Sequence, residues 1–303
     1  MKDRGPLKEI VVLSGKGGTG KTSITAALAT LLGNSVVVDC DVDAANLHLL
    51  FSPEVQETNV FVSGHKAVID SAVCNQCGRC LAHCRFDAIH LVDGQPVIKE
   101  TSCDGCQLCA RVCPEGAISL IPADKSRWYK STFRYGHFIH ARLQPGEENS
   151  GRLVRVIREA ATSSAIDQQI GILLLDGPPG TGCPVISSIT GANIALVVTE
   201  ASKSGLHDLK RILSLVAIYK LRTFVVINKF DLNQAVCQEM DTFCEHSNVP
   251  VIGRIPFDPT FVTAMIHCQS LIEWAPASPS AHVIREAFQE LVEQCQLNVT
   301  QYR

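Results

Sequence analysis

Eight cysteines of the chain fall into two matching runs, Cys74-x2-Cys77-x2-Cys80-x3-Cys84 and Cys103-x2-Cys106-x2-Cys109-x3-Cys113-Pro114. Thiolates are soft ligands suited to iron–sulfur clusters or zinc. A tight C-x2-C-x2-C turn presents three thiolates to three corners of one cubane, and the fourth cysteine of each run reaches the neighbouring cluster. Zinc favours four ligands in two pairs, so this doubled spacing points to two 4Fe–4S clusters. Cys74, Cys77, Cys80 and Cys113 are assigned to one cluster, and Cys84, Cys103, Cys106 and Cys109 to the other. The flanking segments Asp87-Ala88-Ile89 and Glu115-Gly116-Ala117-Ile118 add to an internal pseudo-twofold. Arg85 stands where the second run has Pro114, which affects backbone shape more than ligation.

A second centre of chemistry lies near the N-terminus. Gly15-Lys16-Gly17-Gly18-Thr19-Gly20-Lys21-Thr22-Ser23 fits G-x-x-x-x-G-K-[ST],. Its glycines let backbone N–H groups curl around phosphate, and the following helix N-terminus favours negative charge. Lys21 is expected to reach the β- and γ-phosphates, and the Thr22 hydroxyl to bind Mg²⁺.

The elements that must position these groups are legible in the apolar pattern. Ile10 to Leu13 reads as a buried strand, Ile24 to Leu32 as a helix, and Ser35 to Val38 as a second strand ending at Asp39. This strand–loop–helix–strand order begins an α/β fold with a parallel sheet. The pattern breaks near Thr58, gives way to the cysteine-rich segment, and resumes with a helix over 151–165. Strands are then predicted over 170–175, 194–199, 223–227 and 250–255, with a helix over 206–219. The segment from Arg127 starts as paired strands, and Pro145-Gly146 begins a turn before the next helix,. Near the C-terminus Val283, Ile284, Ala287, Phe288, Leu291, Val292 and Cys295 share one helical face, read as core packing,. That stripe lacks the basic flank of a membrane-surface helix.

The second lysine of the glycine loop narrows the family. The sequence KGGTGKT resembles the deviant Walker A motif of the MinD/ParA/nitrogenase-iron-protein superfamily. That resemblance implies ATP as ligand, and Lys16 reaching across a dimer, of self or of a paralogue, to the partner's nucleotide. Asp39-Cys40-Asp41-Val42-Asp43 followed by Asn46-Leu47 looks like the family's second motif, which implies that Asp41 positions or deprotonates the attacking water. Leu173 to Gly182 resembles its Walker B and switch II segment, with Asp176 holding Mg²⁺ through water. Asn228-Lys229-x-Asp231 is similar to the base-recognition loop, and an asparagine amide can pair with both donor and acceptor on adenine's edge,. Asp231 leaves guanine as the alternative, since NKxD is also the GTPase signature. Pro256-Phe257-Asp258 resembles the loop that closes over the purine.

The cysteine runs resemble a bacterial ferredoxin. The expected fold is therefore an α/β P-loop NTPase with a mostly parallel central sheet, over residues 1–57 and 125–303, carrying an inserted α+β ferredoxin-type domain over 58–124. Six cysteines stand outside the runs, and most are expected to be small buried hydrophobes,. Cys183, in the switch loop, matches the offset of a cluster-ligating cysteine in the nitrogenase iron protein. A second such cysteine is missing between Asp124 and Asp176, so an incidental Cys183 is the favoured reading.

Composition agrees with a globular protein: 303 residues, 46% hydrophobic and 19% charged,. A net charge of −3 without a basic run gives no case for nucleic acid,. No apolar stretch approaches a membrane span, and the first residues lack a signal peptide's layout. Cytoplasmic placement, with thiols ligating metal rather than forming disulfides, is the expectation. The favoured function is a nucleotide switch coupling ATP hydrolysis to electron transfer through the clusters to a partner protein. The alternatives are a cluster carrier resembling the Mrp-type ATPases, and a redox-sensing MinD-like positioning or regulatory ATPase. Mrp-type carriers use a C-x-x-C pair, whereas Cys237 and Cys244 are spaced more widely.

Overall fold

A computed structural model describes residues 7–297 and 299. The strands are β1 (Lys8–Ser14), β2 (Ser35–Asp39), β3 (Glu54–Phe61), β4 (Gly64–Ile69), β5 (Ile89–Val92), β6 (Gln95–Ile98), β7 (Ile118–Ala123), β8 (Ser126–Phe133), β9 (Gly136–Arg142), β10 (Ile172–Pro179), β11 (Ile194–Glu200), β12 (Arg222–Asn228) and β13 (Val251–Ile255). The helices are α1 (Lys21–Leu32), α2 (Leu47–Phe51), α3 (Arg79–Ala82), α4 (Leu108–Val112), α5 (Ser150–Asp167), α6 (Cys183–Ile189), α7 (Lys203–Ile218), α8 (Gln234–His246), α9 (Thr260–Ile266), α10 (Leu271–Trp274) and α11 (Pro279–Cys295).

Among the described residues nine strands form one sheet in the order β13-β12-β11-β1-β10-β2-β9-β8-β3. Pairing is parallel from β13 to β9, and antiparallel where β9 meets β8 and β8 meets β3. The central strands are unbroken apolar runs because both faces are covered. One face packs Ile24 and Leu28 of α1 and Ile284, Phe288 and Leu291 of α11 against Ile10, Val37 and Leu174. The other packs α5, α6, α7 and α8 against Val11, Val36 and Leu175. The C-terminal stripe is thus core packing, as its spacing predicted.

β3 runs on to Phe61, past the break at Thr58, because it pairs along β8 from Glu54↔Thr132 to Phe61↔Ser126. Its residues are mostly exposed until the buried Phe61, so an edge strand here leaves no apolar periodicity to read.

Two small antiparallel ribbons, β4 with β7 and β5 with β6, follow within the cysteine-rich segment. Ala67, Cys80, Ile89 and Ile118 form its own small core. The two cysteine runs share a backbone trace. Left-handed φ values recur at matching positions: Gln76 (60°) and Gly105 (68°), Gly78 (73°) and Gln107 (68°), Asp87 (48°) and Gly116 (63°). Positive φ is uncommon outside glycine, so three matched pairs mark a genuine repeat of the same turns.

Candidate functional site

The glycine loop joins β1 to α1, and Gly18 and Gly20 take φ of 81° and 92°, which glycine adopts without steric cost,. Lys16, Gly17 and Gly18 lie on the surface side of the loop, while Thr19 and Lys21 are buried. Thr19 Oγ1 is buried without a hydrogen-bond partner among the described residues. Thr22 and Ser23 open α1.

Lys21 Nζ meets Asp176 Oδ1 at 2.8 Å. Thr22 Oγ1 and Thr25 Oγ1 donate to the same carboxylate, each at 2.8 Å. Asp176 is fully buried on β10, immediately beside β1. Burial disfavours the Lys21 ammonium, but the charge and hydrogen bond of Asp176, helped by Asp39 and Asp41, carry its pKa above the usual lysine value,. The structure therefore brings together the lysine, the hydroxyl and the carboxylate that the sequence picked out.

Asp39, at the end of β2, was not singled out from the sequence as a site residue. It is fully buried and accepts from the backbone N–H of Asp41, Asn46 and Leu47 at 3.1, 3.2 and 3.1 Å. Those bonds fold the Asp41 segment over the site. Burial, followed by the Asp176 charge, pushes the Asp39 carboxyl up to about 7. Burial raises the Asp41 carboxyl as well, against the pull of Lys21. The available signal was its position at a strand end ahead of Asp41.

A polar row continues across the sheet. Asp176 is in register with Asp39, Asp39 with His140 on β9, and His140 with Tyr129 on β8. The His140 ring stacks on Phe138 at 4.7 Å and Tyr129 at 4.8 Å, with His48 at 5.8 Å. Burial lowers His140 to about 4, with His48 adding to the effect. The Nδ1 atoms of both histidines are buried without a hydrogen-bond partner among the described residues.

Lys16 reaches Glu200 Oε1 at 2.7 Å and Ser204 Oγ at 2.7 Å, within its own chain. Glu200 also takes Lys229 Nζ at 3.1 Å, and Lys229 donates to the Gly18 carbonyl at 3.1 Å. Glu200 ends β11 and was missed from the sequence, because nothing but tertiary contact links it to the loop. Asn228 is buried, its amide donating to the Thr19 carbonyl at 2.8 Å and its oxygen accepting from Lys229 N at 3.0 Å. In this structure the asparagine grips the glycine loop. Asp231 Oδ1 accepts from Phe257 N at 2.7 Å, which joins the two loops expected around a base. Phe257 is exposed, and Asp258 Oδ1 accepts from Thr260 N at 2.9 Å at the start of α9, after Pro256 has ended β13.

The cysteine runs line two cavities. Cys74, Cys77, Cys80 and Cys113 face one, with Ile69, Pro96 and Ile118. Cys84, Cys103, Cys106 and Cys109 face the other, with Ala67, Ile89 and Ile98. Each cavity thus gathers three cysteines of one run and the last of the other. Burial raises the Cys80 thiol, with Cys74 and Cys113 among the contributors; Cys109 responds likewise to burial and then to Cys103 and Cys106. Thiols this close, in an apolar surround, fit a cluster that would take them as thiolates. No group of three or more His, Cys, Asp or Glu side chains among the described residues is arranged for a single metal ion.

Of the other cysteines, Cys40, Cys237, Cys244 and Cys295 are buried as expected. Cys183, which the sequence set apart from the rest, and Cys268 are exposed. Cys183 stands at the first position of α6, where the chain emerges from the switch loop.

A glycine loop between the first strand and a helix, beside a parallel strand that carries a buried carboxylate, defines a P-loop nucleotide-binding fold. Residues 10–271 match the family described as CobQ/CobB/MinD/ParA nucleotide binding domain, and the chain belongs to that family. An uncharacterized protein of Methanocaldococcus jannaschii is 30% identical over 295 residues, 95% of this chain and 98% of its own length. An uncharacterized ATP-binding protein of the same organism is 27% identical, over 93% of this chain and 87% of its own length. The structure of the septum site-determining protein MinD complexed with Mg-ADP from Pyrococcus horikoshii superposes with a TM-score of 0.58 at 18% identity, covering 95% of this chain and 97% of that one. At that identity the likeness is one of fold.

Proposed function

We propose that the chain is a Mg²⁺-dependent ATPase whose nucleotide-driven dimerisation gates electron transfer through two 4Fe–4S clusters to a partner protein. The observation that carries this reading is the pair of cavities, each lined by four cysteines, in a segment anchored at both ends to the sheet that holds the glycine loop. Residues 58–124 act as the inserted ferredoxin, and 1–57 with 125–303 as the ATPase. When bound, the clusters supply one-electron chemistry. The chain's own residues divide the remaining work.

Lys21, held by Asp176 here, is the residue that would meet the β- and γ-phosphates, and Thr22 and Asp176 are those that would hold Mg²⁺,. Asp41 lies where Lys21 and Asp176 both act on its carboxyl, a position suited to orienting water. Lys16 exchanges Glu200 for the nucleotide of a partner subunit. Asn228 and the Pro256–Asp258 loop flank the base. The Mg-ADP bound by the archaeal MinD of similar fold, and the ATP-binding relative, support the choice of nucleotide.

A regulatory ATPase of the MinD kind is a second reading, favoured by the fold likeness. A cluster carrier has less support, since Cys237 and Cys244 are both buried in α8. The experiment is anaerobic reconstitution followed by iron analysis and EPR of the reduced protein with and without ATP. About eight irons per chain as two cubanes, with ATP-dependent spectra, are expected. Stoichiometric zinc without iron would end the electron-transfer reading.

A further inference from the structure

Lys66 lies on β4 and is only 5% exposed. Its ammonium donates to the Cys103 carbonyl at 2.5 Å and to the Gly146 carbonyl. No carboxylate lies within ion-pair distance of it among the described residues. A buried lysine whose direct partners are carbonyl dipoles is costly to keep, because the carboxyl that acts on it, Glu148, does so only from beyond ion-pair distance,. The surrounding contacts hold it there nonetheless. Gly105 stands so close that a Cβ would lie 2.2 Å from the His65 carbonyl oxygen, and one on Gly146 would lie 2.5 Å from Thr101 Cα. The link from Lys66 to the cavity lined by Cys84, Cys103, Cys106 and Cys109 is the Cys103 backbone, whose carbonyl its ammonium holds.

Two carboxyls stand at the rim of this site. Asp104 is half-buried and Glu148 exposed, and the hydrogen bond from Asp104 keeps the Glu148 carboxyl above its ordinary range. Lys66 acts in the opposite sense on the Glu148 carboxyl, which is exposed and screened by solvent, whereas the ammonium itself is buried,.

Resting on the two-cluster reading above, we infer that Lys66 is a positioning residue that raises the reduction potential of the cluster held by Cys84, Cys103, Cys106 and Cys109. One-electron reduction adds a negative charge to a cluster, and a fixed positive charge beside it favours that form. Net charge and hydrogen bonds near the sulfurs are among the terms that set a cluster's potential. The same ammonium bonds one carbonyl from the cysteine-rich segment and one from the segment leading into α5. It therefore sits where the inserted unit meets the nucleotide-binding unit.

The test is redox titration by EPR of the full-length, anaerobically reconstituted chain, alongside Lys66→Gln and Lys66→Arg. Glutamine keeps an N–H donor and removes the charge, and arginine keeps the charge. In Lys66→Gln one cluster's midpoint should fall by at least a tenfold change in its reduction equilibrium, ~59 mV for one electron. The other midpoint should stay in place, and Lys66→Arg should retain the original value. An iron-loaded Lys66→Gln chain with both midpoints unmoved, or with both moved equally, overturns the inference while leaving two clusters in place. A wild-type chain that takes up no iron overturns the two-cluster reading itself. Should glutamine prevent cluster assembly, Lys66→Arg decides: with the charge kept, a midpoint shifted as far as tenfold would equally overturn the role of charge.

Discussion

The Asn228 side-chain amide donates to the Thr19 carbonyl at 2.8 Å, so the end of β12 holds the middle of the glycine loop. The amide nitrogen occupies the space that a side chain on Gly20 would need, 2.4 Å from an ideal Cβ. Loop shape and asparagine placement thus depend on one another, although 209 positions separate the bonded residues.

Asn228→Ala should destabilise the nucleotide-free protein by ~1–3 kcal/mol, because it leaves a buried carbonyl unpaired. Gly20→Ala should weaken nucleotide binding more severely, since it adds both a strained φ and a clash with the amide,. Chemical denaturation for the first and nucleotide-binding calorimetry for the second are the measurements. An Asn228→Ala chain as stable as wild type would show that the bond contributes nothing.

Removing one partner of the buried Lys21–Asp176 pair leaves an uncompensated charge. Lys21→Met should lower stability by ~3–5 kcal/mol, and Lys21→Met with Asp176→Asn should recover much of that loss. A double-mutant cycle on denaturation midpoints reads the coupling. Additive losses would mean that the pair is not coupled.

Two buried groups tilt the pH dependence in opposite directions. Asp39, raised to about 7, binds its proton more tightly folded than unfolded, so its stabilising effect is complete below ~pH 4,. That contribution is lost as pH rises towards 7. His140, lowered to about 4, contributes stability at neutral pH that is lost as pH falls from ~6.5 towards 4,. Asp41, Asp176 and Lys21 act on the first group, and His48 on the second. Relative to wild type, Asp39→Asn should gain stability as pH rises from 4 to 7, and His140→Gln should lose it over the same range. Urea titrations at several pH values make the comparison, and parallel curves for all three proteins would refute both assignments.

Lys16 bonds within its own chain here, to Glu200 and Ser204. Lys16→Ala should spare much of the nucleotide binding and suppress hydrolysis. A mixture of Lys16→Ala chains with Asp41→Ala chains should recover one working site per mixed dimer. Absence of any recovered hydrolysis at any mixing ratio counts against action across the dimer. Glu200→Gln, which loosens the hold on Lys16, should instead raise basal hydrolysis.

The sequence alone determined the local features: the glycine loop, its lysine and threonine, the doubled cysteine spacing, and the apolar runs of the central strands. Each is written in contiguous residues, because loop chemistry and buried-strand pattern are short-range properties. The matched left-handed turns at Gln76 and Gly105 belong here too, since the two runs repeat the same spacing. Only the tertiary structure decided which distant groups meet. Glu200 finds Lys16 and Asn228 finds Thr19 because strands far apart in the chain join one sheet, and Lys66 finds Cys103 because the second cysteine run folds back over β4. Register sets Asp39 beside both Asp176 and His140, and no period within β2, β9 or β10 encodes that alignment. The edge strand β3 was illegible for the opposite reason. Its side chains mostly face solvent, so pairing with β8, rather than burial, makes it a strand.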